Sequence, residues 1–271
     1  MTNALQLEST AKLSRDLAKA GATLSDKEAR FLVDAYYTMQ DNRIRAAAQC
    51  RSLSENGEPH AVLGWLEDQN STLEKQILRA LDKYTDAQPA GVWAKDQYGI
   101  GPVIAAGLCA NIGDPTRFAT VGNLWAYCGL APNQRRKRGE KANWNSSLKR
   151  LAWIMGECFV KVSGKDDALY GQLYREKKAH YEAKNEAGGF AERAEQILKD
   201  KKFDKSTEAY KAYSAGRLPK GHIHSMAARY AAKIAISHFW EVSLKSMGKE
   251  PPTLYPIAHL GHVHKIEPLE I

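Results

Sequence analysis

Several features that commonly signal a function are missing from this chain of 271 residues. Its four cysteines, Cys50, Cys109, Cys128 and Cys158, stand singly with no C-x-x-C spacing, which excludes a disulfide framework and a cysteine zinc site. They are expected inside helices as reduced, buried small hydrophobes. No run approaches the ~20 apolar residues of a membrane span, and the N-terminus carries no apolar signal core. The expected setting is therefore cytoplasmic and nucleoid-associated, with no membrane partner. Almost no stretch alternates at the strand period, so the fold class reads as all-α.

What is present is a core and an uneven basic charge. Hydrophobic residues make up 44% of the chain, enough for one large or two modest domains. Lys and Arg exceed Asp and Glu by 39 to 31, a net charge of +8, which favours polyanionic partners. The excess is concentrated in Gln134-Arg135-Arg136-Lys137-Arg138-Gly139-Glu140-Lys141, where the charge is nearly all of one sign. Nucleic acid is the expected partner.

Helix punctuation organises the chain. Residues 2–18 suit a short amphipathic helix carrying Leu5, Leu13 and Leu17. Ser25 and Glu28 then form a capping box that opens a long helix to about Leu53. After the break at 54–59, a second long helix from His60 to about Tyr84 completes an antiparallel hairpin. It is either a plain bundle arm or a coiled-coil arm for a homo-oligomer. Gln88-Pro89-Ala90-Gly91 marks a boundary, giving segments 1–88, 89–250 and a tail, 251–271. Pro102 to Ile112 reads as a buried helix, with Pro102 in its first turn and Gly113 in a left-handed end. In the turn before it, Gly99 and Gly101 lack Cβ and let backbone N–H groups approach a phosphate. A second short helix, Val121 to Cys128, and the break Gly129-Leu130-Ala131-Pro132 lead into the basic loop. The next helix, Asn145 to Val162, turns Leu148, Leu151 and Met155 inward and Lys149 and Arg150 outward. Further on, residues 188–205 read as a helix on a solvated surface, and Met226 to Leu244 as a core-facing helix. The tyrosines between, Tyr170, Tyr174, Tyr181, Tyr210 and Tyr213, suit either helix faces or base stacking.

A helix, a Gly-x-Gly hairpin and a second helix beside a basic loop is how helix-hairpin-helix modules grip a nucleic-acid backbone. The run GIGPVIAAGLCANIGDPTRFATVGNLWAYCGLAP, with NSSLKRLAWIMGECF after the loop, resembles the C-terminal domain of insertion-sequence transposases related to the Piv DNA invertase. That group includes the bridge-RNA-guided recombinases. The likeness runs from about Val92 to Phe159 and continues more weakly into a helix near Met226 to Met247. It implies a helical DNA-binding domain that, in such transposases, supplies a serine nucleophile beside an N-terminal RNase-H-like domain with an acidic tetrad.

Neither catalytic part is evident here. No β-rich segment could gather carboxylates, so Asp26, Glu28, Asp34, Asp41, Glu67 and Asp68 read as solvated helix-face charges. The loop from Asn133 to Asn143 contains no serine; Ser146 and Ser147 are the nearest, at the start of the next helix. The expected contact set is Gly99, Gly101, Arg135, Arg136, Lys137, Arg138, Lys141, Lys149 and Arg150. The spacing of His222 and His224, and of His259, His262 and His264, would suit a transition metal if the groups met; i, i+2 spacing fits a strand or loop. No cofactor is expected, and a divalent metal is not indicated. Three functions compete: a non-catalytic DNA-binding protein, with structured RNA as the other nucleic-acid target; a serine-dependent recombinase component acting with a separately encoded nuclease; and a factor binding an acidic protein.

Overall fold

A computed structural model describes residues 12–57, 61–132, 134, 136, 139–253 and 265–269. Its elements are helices and turns, with no strand among the described residues, so the all-α expectation holds. The chain divides into two compact units, Met1–Lys95 with Gly101–Pro115, and Asp96–Ile100 with Thr116–Ile271.

The first unit contains α1 (Arg15–Lys19), α2 (Asp26–Glu55), α3 (Ala61–Asp86), α4 (Pro89–Lys95) and α5 (Pro102–Ile112). α2 starts where the capping box predicts. Ser25 Oγ accepts from the Glu28 N–H at 3.3 Å, and Glu28 Oε2 accepts from the Ser25 N–H at 2.8 Å. α2 and α3 pair as an antiparallel hairpin. Near its middle, Glu74 accepts from Arg43 and from Gln40. At the other end the Tyr84 hydroxyl donates to Asp26 Oδ1 at 2.8 Å. Asp26 is therefore a core tie rather than the solvated charge expected of it.

α5 packs against α2, α3 and α4, and every residue from Val103 to Ile112 is buried. Pro102 takes its first position, as expected. Gly113 ends it with a positive φ of 59° but with ψ at −131°, outside the left-handed helical region. Burying Leu108 and Ile112 stabilises the unit by about 1.5–3 kcal/mol each.

The second unit holds α6 (Val121–Tyr127), α7 (Ser146–Lys161), α8 (Leu169–Glu186), α9 (Ala191–Asp200), α10 (Glu208–Ser214) and α11 (Lys220–Ser246). α11 packs on α7 and α8 through Ala227, Ala228, Ala231, Ala232 and Ala235, whose small side chains let the helices approach. Phe159, Tyr170, Phe239 and Trp240 fill the space beside them. The stretch 188–205 carries α9 on the surface, as expected: most of its residues are exposed, and one narrow face packs, with Ala194 buried against Phe190, Tyr213, Leu218 and Ile223 and with Ile197 and Phe203 beside that cluster. Tyr170, Tyr174 and Tyr213 are buried too, which takes them out of the base-stacking set. Residues 265–269 are tied to α11 by Lys265 to Glu241 at 2.8 Å and by His238 Nε2 donating to the Ile266 carbonyl at 2.8 Å.

Candidate nucleic-acid interface

The two hairpin glycines have different physical roles. Gly99 has φ +89°, and a Cβ there would lie 2.9 Å from Phe159 Cδ1, so glycine is required by backbone conformation and by contact with α7. Its neighbour Tyr98 is held beside Lys165, whose Nζ sits 4.4 Å from the ring centre. Gly101 has φ −89° and caps α5 in extended backbone, and a Cβ there would meet nothing within 4 Å. It is the exposed glycine of the pair.

The basic loop is pinned at both ends to α6. Thr120 and Asn123 form a capping box that starts α6, and Cys128 closes it. Gly129 then takes φ +68°, with the Trp144 ring so near that a Cβ would lie 2.8 Å from Cγ. The Leu130 N–H donates to Trp125 O, the Asn145 N–H to Tyr127 O, and Gln134 Nε2 to Ala126 O, all within 2.8–2.9 Å. Departing and returning strands of the loop therefore leave from one short helix. At the tip, Arg136 Nε donates to Glu140 O at 2.7 Å and Gly139 has φ +88°. Arg136 and Lys141 are exposed; Arg135, Lys137 and Arg138 lie outside the described residues.

α7 begins directly after the loop. Asn145 caps it by accepting from the Leu148 N–H at 2.9 Å, leaving Ser146 and Ser147 exposed in the first turn. Arg150 is exposed as expected. Lys149 is not turned outward: it folds back so that Nζ lies 3.9 Å from the Trp144 ring centre. Burial, and then the charge of Arg229, hold its ammonium below the ordinary lysine range. Burial also pushes the thiols of Cys109 and Cys128 up to about 12, which makes them inert, and all four cysteines are free.

The histidines separate. His222 and His224 both lie in the first turns of α11 rather than on a strand or loop, and residues two apart on a helix face different ways. His222 Nδ1 meets Tyr213 Oη at 3.1 Å, whereas His224 meets Tyr174 Oη at 2.8 Å and Glu157 at 3.2 Å. Among the described residues no group of three His, Cys, Asp or Glu could hold a metal ion. His259, His262 and His264 lie outside the described residues.

The expected contact set omits Arg229 and Lys233 of α11, a helix read as core-facing and as a weaker continuation of the family likeness. Their one signal was that they interrupt an otherwise alanine-rich helix with cations.

Residues 95–166, from the end of α4 through α7, match the Transposase IS116/IS110/IS902 family. This segment is a transposase-related domain. The match covers the glycine hairpin, α6, the basic loop and the start of α7 with Ser146 and Ser147. No curated protein matches the chain significantly. No helix among the described residues is long and apolar enough to cross a membrane.

Proposed function

We propose that the transposase-related domain binds DNA by its phosphate backbone, through the basic loop, and that the loop binds without reacting; the exposed Gly101 turn is proposed separately as a phosphate contact of the first unit. The observation that carries this reading is the loop itself: a run of cations without a serine, anchored at both ends to α6 inside the family match. Anchoring reduces the entropy lost when the loop's cations order on a polyanion. Structured RNA offers the same phosphate chemistry and belongs in the same assay. The α2–α3 hairpin is proposed to join copies of the chain, because Phe31, Ile44 and Leu66 are exposed along it.

One observation favours a second reading, a serine-dependent recombinase component working with a separately encoded nuclease. Ser146 and Ser147 present exposed hydroxyls in the first turn of α7, next to the cationic loop, where a nucleophile and its charge stabilisation would be adjacent.

A paired experiment separates the two. Neutralising Arg135, Arg136, Lys137 and Arg138 removes up to four phosphate contacts, and the log–log salt slope for duplex DNA should fall by about 3 to 4. An unchanged slope refutes the loop assignment. In the same samples wild type should form no covalent DNA adduct, and Ser146→Ala and Ser147→Ala should bind as wild type does. A phosphoserine-linked adduct lost in either variant would establish the recombinase reading instead.

A further inference from the structure

α11 brings cations to the loop's base that a loop-centred footprint leaves unused. α7 and α11 run antiparallel along their contact. Glu157 Oε1 lies 3.2 Å from His224 Nε2, and a Cβ on Gly156 would come within 3.1 Å of the Ala228 carbonyl oxygen. Moving back along α7 towards its first turn thus moves forward along α11, from Ala228 towards Lys233. Two lysines there share one cationic neighbour, Arg229. Lys149 extends from the first turns of α7 across Trp144, and Lys233 Nζ lies 3.9 Å from the Trp125 ring centre. Trp125 is fixed in turn, its Nε1 donating to Ser237 Oγ at 3.2 Å. Arg229, exposed, stands one turn before Lys233 on α11.

Both ammonium groups are half-buried, and the charged neighbour that acts on each is another cation, Arg229. No described carboxylate offsets either charge. Like charges in partly desolvated surroundings oppose folding, and methionine side chains, one atom shorter, would cover much the same surface without that cost. The two indole faces hold the ammonium groups in place without neutralising them. A ligand with negative charge would supply what the fold leaves out. Trp144 also packs on Gly129, where the basic loop begins, so the cluster lies beside the loop's base.

We propose that Lys149, Arg229 and Lys233 form a second phosphodiester seat, through which the DNA backbone continues from the basic loop onto α11. This rests on the DNA-binding reading above and extends it to a helix beyond the family match.

The test uses the full chain and a random-sequence duplex of about three helical turns, titrated with salt, for wild type, Lys149→Met, Arg229→Gln, Lys233→Met and Lys233→Arg. Each neutral variant should lower the log–log slope by about 0.9 and weaken binding about eightfold at about 0.1 M salt. Lys233→Arg should retain both. Without DNA, Lys149→Met and Lys233→Met should melt at or above the wild-type temperature, since each removes a repelled charge and keeps the aliphatic stem. Melting below wild type in both would mark the lysines as packing elements and overturn the seat. Unchanged slopes in all three neutral variants, alongside a reduced slope in the loop variant, would overturn the seat and leave the loop reading standing. Absence of salt-dependent binding by wild type would overturn both.

Discussion

Adding a side chain at Gly99 and at Gly101 should give opposite results, although the residues are two apart in the same turn. At Gly99 an alanine must adopt φ +89°, a conformation that costs an L residue about 1–2 kcal/mol. Its Cβ would also press 2.9 Å from Phe159 Cδ1, and Phe159 is a fully buried residue of α7, so the ring cannot swing away cheaply. Overpacking of that kind costs about 1–3 kcal/mol. The two together destabilise by about 2–5 kcal/mol, which for a unit of this size corresponds to a melting decrease of roughly 5–15 °C. At Gly101 the backbone is already extended and the space is open, so Gly101→Val should cost no more than about 1 kcal/mol, mainly as a poorer helix cap. Its effect should instead appear in DNA affinity, because a branched side chain blocks approach to the start of α5. The assay is differential scanning calorimetry of both variants with duplex binding beside it. Gly99→Ala melting within a degree of wild type, or Gly101→Val unfolding, would refute the division of roles.

Two further outcomes follow from the same structure. His238 is buried, donating from Nε2 to Ile266 O and meeting Tyr170 Oη with Nδ1 at 2.9 Å, and burial lowers its pKa below the ordinary histidine value. Stability from the neutral ring is therefore complete above about pH 6.5 and is lost as pH falls through the lower folded-state value; the urea midpoint should drop between about pH 7.5 and pH 5, and His238→Gln should flatten that drop. An equal drop in the variant would exclude His238 as its source. The exposed apolar residues of the hairpin predict that Phe31→Glu with Leu66→Glu shifts sedimentation velocity profiles towards monomer at unchanged helicity, and a profile identical to wild type would remove the hairpin from self-association.

Helix positions were legible in the sequence because helix ends obey local rules. Ser25 with Glu28, Pro102 and Asn145 mark helix starts that need only residues three or four away, and all three occur where those rules place them. The absence of strand-period alternation settled the all-α class in the same local way. The likeness of 95–166 to a transposase segment was readable too, since its glycines and prolines punctuate short elements at fixed spacing. Periodicity says which face of a helix is apolar but not what will cover it. α9 is the exposed helix its composition suggests, but that Phe190 and Tyr213 cover Ala194 on its narrow apolar face depends on residues brought together by the fold. The sequence marked Gly99 as a glycine with room for close approach, but only the fold shows that the space a Cβ would need is filled by Phe159. Lys149 looked outward-facing on its helix wheel, yet the indole of Trp144 gave its stem a surface to cover. The sharing of Arg229 by Lys149 and Lys233 depends on the antiparallel packing of α7 on α11, fixed by small residues at Gly156 and Ala228. No local rule contains that long-range contact, so the tertiary structure alone decided which cations stand together.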